Sequence, residues 1–554
     1  MKEEMKGLYA AIILSLAVIF ITNWLFPTQK PNVSEPTTKE KVELKSENLV
    51  EISAKETALS TEDAIKEDKR IKINNSSVSG SVRLKGARLD ELYLRKYKQS
   101  LAQNSSDVEL LQPTKTKAPY YTEFGWLSTD KNINLPDSET IWHTKNNTLS
   151  PETPLILEWN NGQGIKFIKK ISVDNDYMFN IEQIAENNSG TDITLYPYGL
   201  INRKYLAAEG TNKVVHEGFS GVINSTLKEI KFDELKKENK KEFLSTGGWV
   251  GFSDHYWFSA LILEKNMQNK VKLSKTAENT YQTDFVGEAI KIPTGTVGTH
   301  KGMFFAGAKE IRLLDKYTEQ LNIDKFDLAV DFGWYYFLTK PFFYILDFLY
   351  RFIGNMGWAI LLFAALLRLA MFPIANKSFE SMSKMKKVQP KIQELQDKFK
   401  DDKVKLQTEM MDLYRKEKIN PASGCLPMLI QIPVFFSLYK VLNIAIEIRH
   451  APFIGWIKDL SAPDPMTISV ITHLPLPTFI DIGVWPILMG LTMFIQQKFN
   501  PKPTNKDQAR MFALMPILFM FMLGHFASGL VIYWTLSNIL SIIQQKVIMK
   551  KVGV

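Results

Sequence analysis

Gly357-Trp-Ala-Ile-Leu-Leu-Phe-Ala-Ala-Leu-Leu-Arg-Leu-Ala-Met-Phe-Pro373 is apolar except for one guanidinium, Arg368. Read as a membrane helix, the stretch places that charge inside the hydrocarbon, with no acidic residue within two turns on either side. Arginine cannot shed its proton, and a mid-membrane position costs roughly 2.5–3.5 kcal/mol. A deep, unpaired cation therefore reads as a functional group lining a wet cavity. Snorkelling of the long side chain to the headgroups is the alternative.

Working outward, the apolar pattern gives spans at about 357–374, 425–444, 483–497, 511–526 and 528–547, the last two joined by a tight turn at Gly524 to Ser528. Several lie at or below the ~20 residues a helix needs to cross a bilayer, which implies local thinning or a recessed packing. Polar side chains are scattered through them: Gln431, Thr492, Tyr533, Ser537 and Asn538. Singly such groups join helices. Together with Arg368 they predict a wet concavity, with Pro427, Pro433, Pro486 and Pro516 bending the helices around it.

Upstream, Lys340, Asp347 and Arg351 fall on one helical stripe opposite Phe342, Phe343, Leu346 and Leu349. This predicts an interfacial helix over 334–352, with a further span as the alternative. Residues 76–333 change texture. Short alternating segments such as Ile165-Lys-Phe-Ile-Lys-Lys-Ile171 and Tyr177-Met-Phe-Asn-Ile-Glu-Gln-Ile184, separated by turns such as Asn160-Asn-Gly162, predict an all-β sandwich. Residues 28–75 are charged and poor in aromatics, the composition of a linker. The apolar run from Leu8 to Phe26 ends in bulky residues, so 1–27 reads as an uncleaved anchor. The expected fold class is multi-domain: a polytopic α-helical membrane bundle of six spans, plus an all-β sandwich.

Lys377–Lys418, Lys498–Arg510 and Lys546–Lys551 are basic, whereas Glu447–Asp481 is not. Positive-inside topology puts the basic segments and both termini in the cytoplasm and the β domain outside it. Between the first two core spans, over 376–419, Met382, Met385, Val388, Ile392, Leu395 and Phe399 recur at three- and four-residue steps. Asp401-Asp402 breaks the pattern before Val404, Met411 and Tyr414 resume it. An antiparallel helical hairpin with a methionine-rich seam is expected, either an adaptable receiving surface or a plain coiled coil.

The chain has no Gly-x-x-x-x-Gly-Lys-[Ser/Thr] loop, no Cys/His cluster at zinc spacing and no catalytic triad pattern. No catalytic residue, metal or cofactor is expected. The single Cys425 forbids an internal disulfide. Much of the net charge of +9 lies beside the spans, where it serves topology and contact with anionic lipid rather than nucleic acid.

Ser381-Met-Ser-Lys-Met-Lys-Lys-Val-Gln-Pro-Lys-Ile-Gln393, Asn420-Pro-Ala-Ser-Gly-Cys-Leu-Pro-Met-Leu-Ile-Gln-Ile-Pro433 and Ser528-Gly-Leu-Val-Ile-Tyr-Trp-Thr-Leu-Ser-Asn538 resemble the YidC-type membrane protein insertases of the Oxa superfamily. Gly247-Gly-Trp-Val-Gly-Phe-Ser-Asp-His-Tyr-Trp257 resembles the periplasmic domain of Gram-negative members. The resemblance implies an insertase and chaperone of the bacterial inner membrane, with a periplasmic β domain and five core spans around a groove open to cytoplasm and lipid. It implies that Arg368 is the groove's charge and that Gln431, Phe435, Met489, Thr492, Met522 and Tyr533 line it. It also implies that the hairpin, with Met382, Met385, Met411 and Tyr414, receives clients. The implied partners are nascent inner-membrane proteins, the lipid bilayer, the Sec translocon and, through the hairpin, the ribosome or signal recognition machinery. Contact through the long basic tail of some relatives is not expected, because the chain stops at Val554, soon after the last span. Ala364, Trp534 and His525-Phe-Ala527 depart from residues that some relatives carry.

Two other readings compete. A secondary transporter would show symmetry between groups of spans, which this sequence lacks. A sugar-binding or sugar-modifying envelope protein, with Asp254, His255 and Trp257 as candidate residues, rests on the sandwich alone.

Overall fold

The alternation at Ile165–Val173 becomes a strand in which residues 165, 167, 169, 171 and 173 all turn inward. Strands of this kind build two sheets in the computed structural model, which describes residues 58–206, 215–277, 279–400, 402–417, 419, 426–500 and 506–553. Among the described residues one sheet has eleven strands, running from Lys240–Thr246 through Thr280–Val286, Ile193–Lys204, Tyr120–Leu127 and Arg70–Asn74 to the short edge strand Thr148–Leu149. The other has eight, running from Thr226–Lys231 through Trp249–Ser253 and Thr296–Ala308 to Leu155–Asn160. Their facing side chains form the expected sandwich core, across which Tyr120 of one sheet hydrogen-bonds Ser259 of the other. The outer face of the eight-stranded sheet is covered by the segment that follows it, where Phe305 meets Phe326 at 5.3 Å.

The sheet begins earlier than the composition suggests. Arg70-Ile-Lys-Ile-Asn74, assigned above to the linker, is a strand paired with Val78–Arg83, and it buries Ile71 and Ile73. Two isoleucines at period two suffice once a neighbouring strand covers them, whatever the charge of the residues around them.

After the sandwich come helices α1 (Ile311–Gln320), α2 (Tyr336–Ile353), α3 (Met356–Ala370), α4 (Phe372–Lys398) and α5 (Lys403–Lys416). They are followed by α6 (Leu426–Ile444), α7 (Val484–Phe499), α8 (Lys506–Leu523) and α9 (Ser528–Val552). Helix α9 lies at the centre, packed against α3, α4, α6 and α7.

Among the described residues no single helix is long and apolar enough to cross a membrane. Helices α3 and α4 pass that test as a pair, bent by 67°. The span expected over 357–374 therefore ends at Ala370. Pro373 falls at the break, in the first turn of α4, where its missing N–H costs no helical hydrogen bond. The anchor expected at 8–26 and Cys425 lie outside the described residues.

The charged stripe of α2 does not face outward as a set. Phe342, Phe343, Leu346 and Leu349 are buried, and Asp347 is buried with them, held by Arg312 of α1 at 2.5 Å and by Arg351 at 3.0 Å. Lys340 pairs with Asp315 at 3.0 Å and Asp327 at 2.7 Å. The stripe thus docks the sandwich's last helix onto the bundle. The join continues where Arg449 donates to the Lys98 carbonyl at 2.8 Å, Lys440 meets Asp331 at 2.6 Å and the His255 ring hydrogen-bonds the Asn443 carbonyl.

Candidate functional site

Arg368 sits in the last turn of α3, just before the corner. The corner keeps its backbone bonds: Met371 N donates to the Leu367 carbonyl and Ala375 N to the Met371 carbonyl, both at 3.0 Å. The guanidinium lies over the ring of Phe379 on α4, 5.7 Å from the ring centre. Its Nε and Nη2 are buried and have no hydrogen-bond partner among the described residues. No carboxylate among those residues reaches ion-pair distance of it. The charge is therefore held by an aromatic face while two of its nitrogens keep unused donors.

Tyr533, 2% exposed on α9, lies within electrostatic reach of the guanidinium. Its hydroxyl accepts a hydrogen bond from Gln431 Nε2 of α6 at 2.9 Å. Three residues singled out in the sequence, from three helices, are thus brought together. A second polar contact joins α7 to α9, where Asn538 Nδ2 donates to Thr492 Oγ1 at 3.1 Å. Phe435 packs edge-on against Trp534 at 4.6 Å.

Two expected positions differ from these in exposure. Met489 is 0% exposed, sealed in a layer with Leu523 and Val531, so anything reaching it must part that layer. Met522 is 49% exposed. On the hairpin, Met385 and Tyr414 pack against Val388, Ile392 and Ile419, whereas Met411 is half exposed and Met382 partly buried.

Sequence reading named Asn538 but missed the polar row that continues from it along α9 towards the hairpin. Asn538, Ser541, Gln544 and Gln545 are buried there. Gln544 Nε2 donates to Asn376 Oδ1 at 2.8 Å and Gln545 Nε2 to Asn500 Oδ1 at 3.1 Å. The signal was present, as polar residues at three- and four-residue steps within one helix. Phe379 left no such trace.

The end of the bundle away from the hairpin is closed by the segment 445–483. Phe453 meets Trp358 at 5.6 Å and Trp485 at 6.4 Å. Gly357 is required beneath it, since a Cβ there would lie 2.0 Å from the Phe453 ring. Asp464, buried, accepts from Trp456 Nε1 at 2.9 Å, Met466 N at 3.0 Å and Trp485 N at 2.8 Å, and so ties the loop to the start of α7. Ser528 N donates to the Ala462 carbonyl at 2.7 Å and Gly529 N to the Leu460 carbonyl at 3.0 Å, which ties it to α9.

The residues proposed for sugar chemistry serve the structure instead. Asp254 pairs with Arg203 at 2.8 Å, His255 bonds the bundle, and Trp257 packs against Tyr97 at 5.4 Å beneath Arg449.

Two family models match the chain: the YidC periplasmic domain over residues 70–345 and the 60Kd inner membrane protein over residues 348–553. The chain is 44% identical to the membrane protein insertase YidC of Rickettsia bellii (strain OSU 85-389), covering 99% of this chain and 100% of that protein. It is 45% identical, with the same coverage, to the membrane protein insertase YidC of Rickettsia rickettsii (strain Iowa). Among solved structures, an active YidC insertase crystal structure aligns with a TM-score of 0.37 at 19% identity, covering 87% of this chain and 92% of that one. The chain belongs to the YidC family of membrane protein insertases.

Proposed function

We propose that the protein moves hydrophobic segments of nascent or completed proteins from the cytoplasm into the inner membrane, as insertase and chaperone, alone or beside the Sec translocon. The groove is the concavity of α3, α6, α7, α8 and α9, with Arg368 as its fixed charge and Gln431, Phe435, Met489, Thr492, Met522 and Tyr533 as its lining. Six spans with both termini cytoplasmic put the β domain in the periplasm. The hairpin of α4 and α5, through Met382, Met385, Met411 and Tyr414, receives the client, and the ribosome or signal recognition machinery delivers it there.

One observation carries this reading: the Arg368 guanidinium, among apolar helices, has buried donors and, among the described residues, no carboxylate to neutralise it. Coulomb attraction strengthens as the local dielectric falls, so such a cation draws acidic residues of a crossing segment. Water and the side-chain dipoles of Gln431 and Tyr533 lower the cost of moving peptide groups that hydrocarbon would leave unsatisfied. The drive comes from the client, whose apolar span gains roughly 0.8 kcal/mol per CH₂ on passing from groove to lipid. The closed end formed by Phe453, Trp485 and Asp464 keeps the path from becoming a pore.

The test is insertion of a small single-span client in liposomes and in cells depleted of the native protein. Arg368→Ala is expected to impair clients with acidic outer segments, and Arg368→Lys to retain much of the activity. Equal insertion by the alanine variant overturns the role assigned to the charge.

A further inference from the structure

Residues 368 and 379 are eleven apart, which on a straight helix is about three turns, so they would share a face but stand ~16 Å apart along the axis. The 67° corner between α3 and α4 shortens that separation, and the long arginine side chain spans the rest, so that the Phe379 ring lies under the guanidinium at 5.7 Å. Phe379 is 4% exposed, and the root of α4 that carries it is fastened to α9 by the hydrogen bond from Gln544 to Asn376. The ring is thus a fixed surface.

The chemistry of the contact is specific. A carboxylate in the place of Phe379 would hold the cation but cancel its charge and occupy its donors. An aromatic face attracts the cation through its quadrupole and occupies no N–H. The consequence is visible in Nε and Nη2, both buried and both without a hydrogen-bond partner among the described residues.

We infer that Phe379 is a positioning residue for insertion: its ring holds the Arg368 guanidinium within the groove by a cation–π contact that leaves the donors free for a carboxylate of the crossing segment. This rests on the reading of Arg368 as the groove's charge. It places part of the insertion site on the first helix of the cytoplasmic hairpin, outside the core spans.

The experiment compares two versions of one single-span client, one with an acidic outer segment and one with its carboxylates changed to amides. The full-length protein inserts each in liposomes, and the ratio of the two insertion rates is read rather than either rate alone. Phe379→Leu keeps apolar volume but removes the ring, and should lower the acidic-to-neutral ratio by about two- to fivefold. Phe379→Tyr and Phe379→Trp, which keep an aromatic face, should restore it. In an Arg368→Ala background, Phe379→Leu should leave the ratio where Arg368→Ala alone sets it.

An unchanged ratio in Phe379→Leu overturns the inference, as does a loss in the tyrosine and tryptophan variants equal to that in the leucine variant. Should the leucine variant fail to fold, Phe379→Met makes the same comparison. If Arg368→Ala itself leaves the ratio unchanged, the reading of the groove charge has failed, which is a separate result.

Discussion

Lys169 and Arg368 are both cations sunk among apolar side chains, and the protein handles them in opposite ways. Lys169 faces the sandwich core, donates to the Phe124 carbonyl at 2.7 Å and lies over the Trp142 ring. Burial pulls its pKa down to about 8, against a smaller opposing pull from Glu123. Because the folded value lies below the unfolded one, the cost of burying the charge is fully present below about pH 8 and is relieved as pH climbs towards the unfolded value. Lys169→Met is therefore expected to raise the thermal midpoint of the β domain by a few degrees at about pH 7, with the gain shrinking by about pH 9.5. Tryptophan fluorescence melts of the full-length protein at the two pH values check this, and a pH-independent difference would contradict it. Arg368 has no such escape by titration and is instead laid against a ring. The polar members of the site were legible as exceptions within apolar runs: Arg368, Gln431 and Tyr533 stand out in any hydropathy reading. Phe379 was not legible, since an aromatic residue in an amphipathic helix looks like packing until the corner brings it to the charge.

At the scale of elements, turns and caps decide what the apolar pattern leaves open. Met371-Phe-Pro373 reads as three more residues of a span, yet the proline sits in the first turn of α4 and the span ends at Ala370. Arg70–Asn74 reads as linker because two isoleucines among charges carry little weight alone, and only the partner strand reveals their role. The sandwich, the order of the core helices and the hairpin follow from periodicity, whereas the loop that closes the far end does not. Its organiser is Asp464, whose carboxylate gathers one indole and two backbone donors. Asp464→Ala would strand those donors at a cost of roughly 1–3 kcal/mol. A lowered melting temperature in detergent is expected for Asp464→Ala and a milder drop for Asp464→Asn, which keeps an acceptor. Identical melts for both variants and the unmodified protein would remove Asp464 from this role.

For the whole molecule, the sandwich and the bundle are joined by charges as well as by apolar surface. Glu447, on a short helical turn after α6, has a buried Oε2 without a hydrogen-bond partner among the described residues. Burial raises its pKa to about 8, with Glu310 ahead of α1 and Asp347 of α2 adding repulsion. Tyr97 of the sandwich also faces it. A carboxyl whose folded pKa exceeds its unfolded one stabilises the join below the unfolded value and loses that contribution as pH rises through about 8. Glu447→Gln is expected to hold the join more firmly than the native residue near that pH, read as slower amide exchange across 445–449. Faster exchange in the glutamine variant would contradict this. The corner between α3 and α4 has a mechanical consequence as well. The cation and the ring that steadies it stand on the two arms of one elbow, so the angle of that elbow sets where the charge rests.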